Sequence, residues 1–267
     1  MKSSGAARRF RGVDDVRLVG RQVFYEQMSF WLNPIGAIFT VAFSVVFFVL
    51  LGTTGGNARF STLGGTRGIQ YYVGGFVAYG IMAMCFNTLA VSLIVRRENG
   101  LLKRLRLSPL PSWVMLAGVT GSGLVISAVQ VVLLLLIGRL GYGVVLPHNV
   151  LALVVALVVG VISFTALGVA TSTLVPNQDA AGPVISIVFF ALLFLSGLWY
   201  PLQSGSVLAK ISGVFPVRHM IIATFAPFDT QRGVTGWAWN DVLVMAIWGA
   251  VGVVVAVRRW QWAPRRS

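Results

Sequence analysis

Six long apolar stretches, joined by shorter polar connections, set the hydrophobic pattern of the chain. An α-helix needs about 20 mainly apolar residues to cross a bilayer, and the first five stretches exceed that length. The sixth reaches it only if the helix begins near Ala238 and places Asp241 at the level of the lipid headgroups. The pattern predicts transmembrane helices at residues 32–51, 71–95, 112–138, 150–174, 182–200 and 238–257. We therefore expect an all-α polytopic membrane protein in which residues 1–267 form a single transmembrane domain.

The segment before the first span, residues 14–31, is predicted to be a helix lying on the membrane surface. Four apolar side chains fall on one face at 100° per residue: Val16, Val19, Val23 and Phe30. Arg17 and Arg21 point away from this face, as in an interfacial amphipathic helix. The alternative is a frayed basic tail.

The connection between the last two spans, residues 201–237, is unusually apolar for an extracytoplasmic loop. Lys210, Pro216 and Arg218 interrupt it, so it should not cross the membrane. Irregular backbone is tolerated at membrane depth where protein buries it. We therefore expect a re-entrant helical hairpin dipping into the outer leaflet.

The charges of the chain are few and lopsided. Hydrophobic residues make up 57% of the sequence and charged residues 10%, yet the net charge is +14. This combination argues against soluble enzymes and nucleic-acid binders, whose basic patches lie on hydrophilic folds. Of the 21 basic residues, 15 fall in residues 1–31, 96–111 and 258–267. By the positive-inside rule, these segments and both termini should be cytoplasmic.

The apolar stretches lack the groups that membrane chemistry usually needs. Their central parts contain no carboxylate, Lys or Arg, which argues against a proton-coupled transporter. None of the three lysines lies in the pattern GxxxxGK[ST], so we expect no ATP hydrolysis by that route. We also expect no catalytic residue, no metal site and no cofactor bound by this chain. Its pattern is typical of a translocation body whose energy comes from elsewhere.

The cytoplasmic connection 96–111 carries the most information. Leu101, Leu102 and Leu105 form one face of a short predicted helix that begins after Gly100 and ends before Pro109. Basic residues surround this face. The alternative is that these residues only orient the protein and hold anionic lipid headgroups.

Two motifs resemble the ABC type-2 exporter permeases. The first is the basic stretch at residues 97–110, Arg-Glu-Asn-Gly-Leu-Leu-Lys-Arg-Leu-Arg-Leu-Ser-Pro-Leu. The second is Ser-Gly-Leu-Trp-Tyr-Pro at 196–201, followed by Phe-Pro-Val-Arg-His at 215–219. Together with the six spans and the surface helix, the resemblance covers nearly the whole chain.

The resemblance implies a permease of the bacterial cytoplasmic membrane that forms a homodimer or heterodimer. It implies two copies of a separate cytosolic ATPase subunit, which would bind ATP and Mg²⁺, and it implies no nucleic acid. Membrane lipids would be further partners. The residues implied to couple to the ATPase are Arg97, Glu98, Gly100, Leu101, Lys103 and Arg104, with Arg17 and Arg21 on the surface helix. The residues implied at the outer gate are Ser196, Gly197, Tyr200, Pro201, Phe215, Pro216 and His219.

The substrate expected from this resemblance is a hydrophobic drug, antibiotic or lipid, as in the drug and antibiotic-resistance branch of the family. The first and fifth spans are rich in phenylalanine, which suits an apolar route if they line the dimer interface. The residues expected along that route are Phe39, Phe43, Phe47, Asn87, Phe190 and Phe194. One alternative is that these phenylalanines face lipid. Others are that the chain exports a polysaccharide or glycolipid, or that it is a non-transporting scaffold or a lipid-binding regulator.

Overall fold

All six predicted spans are helical in the computed structural model, which describes residues 12–101, 112–203, 205–229 and 236–259. The spans are long and apolar enough to cross a membrane. They are α2 (Pro34–Gly55), α3 (Gly68–Glu98), α4 (Ser112–Tyr142), α5 (Val150–Leu174), α6 (Gln178–Leu195) and α9 (Trp239–Arg259). The predicted fold class, an all-α polytopic membrane protein, is confirmed.

The ends of several spans differ from those that hydropathy predicted, because capping residues set them. Helix α3 continues through charged residues to Glu98 and ends where Gly100 takes a positive φ of 69°. Helix α6 begins earlier than predicted, since the Asn177 side chain accepts a hydrogen bond from the Ala180 amide and caps the first turn. It ends at Leu195, shortly before Gly197 with a φ of 83°.

Two kinds of local structure were not predicted. A short antiparallel ribbon joins the first two spans, with β1 (Arg59–Phe60) paired to β2 (Thr66–Arg67). Stretches of π-helix interrupt two spans, at Ile38–Ala42 in α2 and Met82–Thr88 in α3. Such π-helical turns are rare and often occur at functional sites.

Helix α3 lies at the centre of the fold. The most apolar stretch of α3 is 72% buried within the chain, whereas that of α6 is 22% buried. The close packing depends on small residues, as at Gly168 of α5, where a Cβ atom would lie 2.5 Å from the carbonyl oxygen of Cys85. Backbones can approach this closely only where one of them carries glycine. The core therefore forms around α3.

Helix α1 (Gly12–Trp31) packs on α4. Gln27 donates from Nε2 to the carbonyl oxygen of Ser122 at 2.9 Å and to its Oγ at 3.1 Å. Phe30 is buried and Val23 contacts Gly121, but Val16 is 73% exposed. Val16 therefore takes no part in the packing on α4, and the contact of the predicted apolar face with the membrane surface stays a prediction.

The exposed face of α1 changes from basic to apolar along its length. Arg17 and Arg21 lie near its beginning and are exposed. Phe24, Met28 and Trp31 follow at helical spacing and are 65%, 51% and 49% exposed. A surface of this kind suits a membrane interface, with charge at the headgroups and rings among the acyl chains.

Two short helices, α7 (Val207–Ser212) and α8 (Pro216–Phe225), lie between α6 and α9 along the chain. Helix α8 packs among α3, α5 and α9. The Thr224 hydroxyl donates to the carbonyl oxygen of Gly74 at 2.9 Å, and a Cβ atom at Gly74 would lie 2.7 Å from the Cα of Phe225. A 3-10 turn (Ala226–Phe228) follows.

Candidate functional site

A cavity of about 590 Å³ lies between α2, α3 and α6. Volumes between about 300 and 1,000 Å³ are typical of sites that bind drug-sized molecules. Its lining combines aromatic rings with neutral polar groups. They include Thr40, Tyr79, Asn87, Ser92, Ser186 and Phe190.

Two of the lining residues carry oxygens with unused hydrogen-bonding capacity. The Thr40 side chain is buried, and its Oγ1 has no hydrogen-bond partner among the described residues. The same holds for Oδ1 of Asn87. Thr40 lies in the π-helical stretch of α2 and Asn87 in that of α3. Because leaving a buried polar group unpaired costs about 1–3 kcal/mol, a side-chain rearrangement that exposed these oxygens to the cavity would favour a ligand with a complementary polar group.

A row of seven aromatic rings leads from the cavity along α2 and α6 to the segment after α6. Successive ring centroids lie 4.2–6.2 Å apart, within the range of stacked and edge-to-face contacts. The rings are, in order, Phe190, Phe189, Tyr79, Phe43, Phe47, Trp199 and Phe194. The row therefore joins the cavity to the predicted outer-gate motif.

The structure brings most of the predicted route residues together. Asn87 and Phe190 line the cavity, and the row contains four of the predicted phenylalanines. The side chain of Phe39 lies outside the described residues. Sequence reasoning missed Tyr79 and Thr40, although a hydroxyl within an apolar span was a usable signal for each.

At the predicted cytoplasmic end, the Arg97 side chain is turned into the protein and is 4% exposed. Its guanidinium donates to three main-chain carbonyl oxygens at the end of α5: Ser172 at 3.2 Å, Val175 at 2.8 Å and Pro176 at 3.1 Å. Nε also donates to Glu98 at 3.2 Å. A cation is favourable here because the last carbonyls of a helix have no partner within it.

The neighbouring Arg96 joins α3 to α1. Its two terminal nitrogens each donate to one carboxylate oxygen of Glu26, both at 2.8 Å. The two side chains are 20% and 12% exposed. Sequence reasoning did not assign this pair, although Glu26 is the one acidic residue among residues 16–31.

The other predicted coupling residues differ in how accessible they are. Glu98 and Leu101 remain partly accessible, at 21% and 43%, and Gly100 supplies the left-handed turn after α3. Arg17 and Arg21 are exposed on α1. Lys103 and Arg104 lie outside the described residues.

The first predicted outer-gate motif packs on α3. The Tyr71 hydroxyl donates to the carbonyl oxygen of Gly197 at 2.6 Å. Ser196 is buried, and its Oγ accepts from the amide of Leu198 at 3.1 Å. Tyr200 is 53% exposed, and Pro201 next to it is half-buried.

The second outer-gate motif faces α9. Phe215 stacks on Trp248 with ring centroids 6.5 Å apart, and Pro216 begins α8. His219 contacts Asp241 through Nδ1 at 2.6 Å and the carbonyl oxygen of Gly213 through Nε2 at 2.8 Å. Both partners are acceptors, so the doubly protonated ring satisfies both. The hydrogen bond to Asp241 accordingly raises the pKa of His219 above its ordinary value, against the opposing effect of burial.

No group of three or more His, Cys, Asp or Glu side chains is placed to hold a metal ion within the described ranges. Six apolar helices, three of which enclose a cavity of rings and mainly neutral polar groups, define an integral membrane protein of the transporter class. The sequence model of the ABC-2 type transporter family matches residues 21–228, and the chain belongs to this family. Its matched domain is the membrane component of a transporter and not the ATPase, which implies an ATP-binding partner.

Two curated relatives share a printed name, "Probable multidrug ABC transporter permease YbhR", and come from Escherichia coli strain K12 and Escherichia coli O157:H7. Each is 25% identical to this chain over 151 residues. The match covers 54% of this chain and 41% of each relative. The chain therefore matches about two fifths of the length of these relatives.

Proposed function

We propose that this chain is the permease subunit of an ATP-driven exporter that moves a hydrophobic or amphipathic compound out across the cytoplasmic membrane. It would assemble with a second permease subunit, as a homodimer or heterodimer, and with two copies of a separate ATPase subunit, which binds ATP and Mg²⁺. The observation that carries the proposal is the cavity between α2, α3 and α6, continued by the row of aromatic rings.

The chemistry of the cavity supports an aromatic, largely uncharged ligand. Its walls are rings, aliphatic groups, hydroxyls and two amides, and none of the described lining residues is acidic. Arg96 is the one charged residue in the described part of the lining, and Glu26 neutralises it. Phe190 and Tyr79 would pack against the rings of such a compound. The multidrug description of the two relatives agrees with this substrate class.

The hairpin of α7 and α8 would close the outer end of the route as a re-entrant element. The Trp248 indole donates to the carbonyl oxygen of Val214, between α7 and α8, at 2.9 Å. Trp248 lies seven residues after Asp241, the residue predicted at the lipid headgroups. At 1.5 Å per residue this is about 10 Å along the helix, about one third of a hydrocarbon core about 30 Å thick.

The distribution of charge supports an orientation with both termini in the cytoplasm, since 15 of the 21 basic residues would then be cytoplasmic. The loop after Gly100 would face the ATPase. The exposed basic and apolar face of α1 would lie at the inner membrane surface and contact lipid.

Transport of a bis-benzimidazole dye into inside-out vesicles, with the chain and its ATPase co-expressed, tests this function. We expect ATP-dependent uptake, and we expect Thr40→Val combined with Asn87→Leu to raise the KM for the dye several-fold through lost hydrogen bonds. Thr53→Val is the matched control, because Thr53 is exposed and lies outside the cavity lining. Uptake that does not depend on ATP would contradict the proposal, as would an equal effect of the control.

A further inference from the structure

We propose that Arg97 is a positioning residue that transmits movement of the cytoplasmic loop to the cavity wall, rather than a residue that contacts the ATPase. The inference rests on the proposed function and adds the physical connection between its two ends. That connection is the set of hydrogen bonds from Arg97 to the turn between α5 and α6.

The Arg97 side chain has little exposed surface for contact with another protein. Nε, NH1 and NH2 each donate within the chain, and the side chain is 4% exposed. Glu98 and Leu101, in contrast, keep accessible surface at 21% and 43%. Contact with an ATPase would therefore fall on these neighbours and on the loop that follows.

The acceptors of Arg97 connect the end of α3 to the beginning of α6. Gly100, where the loop begins, follows Arg97 by three residues and ends α3. Val175 and Pro176, which accept from NH2, lie directly before Asn177, the N-cap of α6. A displacement of the loop at the end of α3 is thus passed through one rigid guanidinium to the beginning of α6.

Helix α6 is suited to respond to such a displacement. The most apolar stretch of α6 is 22% buried within the chain, which is the lowest value among the six spans. It also contributes Ser186, Phe189 and Phe190 to the cavity lining. A shift or tilt of α6 about its capped beginning would therefore change the cavity directly.

The test compares the complex carrying Arg97→Gln or Arg97→Lys with the wild-type complex. We expect the glutamine variant to co-purify with the ATPase and to keep its basal ATP hydrolysis, but to transport about tenfold less dye per ATP hydrolysed, within the usual range of coupling between sites. The lysine variant should be intermediate, because an ammonium group keeps the charge but not the planar fork. Arg258→Gln is the matched control, since Arg258 is an exposed cytoplasmic-end arginine of α9.

A second variant keeps the test decisive if Arg97→Gln does not fold. Pro176→Gly retains the arginine and its acceptors but loosens the connection to α6, and it should also lower transport per ATP with normal ATP hydrolysis. Normal coupling in a folded variant would overturn the inference. Loss of ATPase co-purification in folded Arg97→Gln would instead make Arg97 a docking contact and also overturn it. Failure of the wild-type complex to transport would count against the proposed function itself.

Discussion

Replacing Glu26 with glutamine should loosen α1 from the transmembrane helices. Both carboxylate oxygens of Glu26 accept hydrogen bonds from Arg96, at 2.8 Å each, and the two side chains are 12% and 20% exposed. Glutamine keeps the shape of the side chain but loses the charge and one of the two acceptor oxygens. The hydrogen bonds from Gln27 to Ser122 remain, so α1 should stay docked but open more often.

The size of the effect follows from the partial burial of the pair. Exposed ion pairs contribute up to about 1 kcal/mol, whereas breaking a fully buried pair costs about 3–5 kcal/mol. The Glu26–Arg96 pair lies between these limits, so we expect a loss of about 2 kcal/mol. This corresponds to roughly a thirtyfold larger population in which α1 is detached.

Hydrogen exchange measured by mass spectrometry on peptides from residues 12–31 reports this population. In Glu26→Gln, the protected amides of α1 should exchange roughly thirtyfold faster than in wild type. Arg21→Gln is the control on the same helix, because Arg21 is exposed and should change exchange little. Unchanged exchange in Glu26→Gln, or an equal change in the control, would refute the idea that this pair holds α1 in place.

Two further predictions concern stability. Gly168→Ala should lower the Tm and reduce the free energy of unfolding by about 1–3 kcal/mol, because the new Cβ would lie 2.5 Å from the Cys85 carbonyl oxygen. Gly20→Ala on α1 is the control: its Cβ would have no atom within 4 Å, so the Tm should stay unchanged or rise. Equal shifts in the two variants would contradict the packing argument. The His219–Asp241 contact should make stability depend on pH, because a raised pKa stabilises the fold fully below the unfolded pKa of about 6.5 and less as pH rises through the folded value. Melting curves from pH 5.5 to 9 should show this loss in wild type and not in His219→Gln, whereas parallel curves would refute it.

The spans could be predicted because hydropathy marks each of them directly, while their ends could not. Arg96 and Arg97 read as a loop on charge alone, yet they continue α3 because their side chains find partners in other helices. The end of α6 depends on the left-handed Gly197 rather than on the apolar run, which continues past it. Capping and tertiary contacts therefore decided these boundaries.

The candidate cavity was partly predictable for a similar reason. A phenylalanine-rich span is visible in the sequence, and Phe43 and Phe190 were selected on that basis. The contribution of Thr40 and Tyr79 to the cavity depends on which faces of α2, α3 and α6 meet, and hydropathy along a single sequence does not reveal those faces. The π-helical stretches that present Thr40 and Asn87 likewise have no pattern of their own.

The contacts of Arg97 could not be predicted from the motif. The resemblance implied a basic docking residue, and the structure pairs its guanidinium with main-chain carbonyls of Ser172, Val175 and Pro176. A carbonyl acceptor leaves no mark in the sequence, since every residue has one.

Photolabelling of the assembled complex tests the central claim most directly, that the cavity holds an amphipathic ligand and that ATP empties it. A photoreactive bis-benzimidazole would be activated in nucleotide-free complex and in complex trapped with ATP and vanadate, and the labelled peptides identified. We expect labelling on α3 around Asn87 and on α6 around Phe190 without nucleotide, and a large decrease in the trapped state. Labelling confined to other helices, or labelling of these two that is indifferent to nucleotide, would contradict the account.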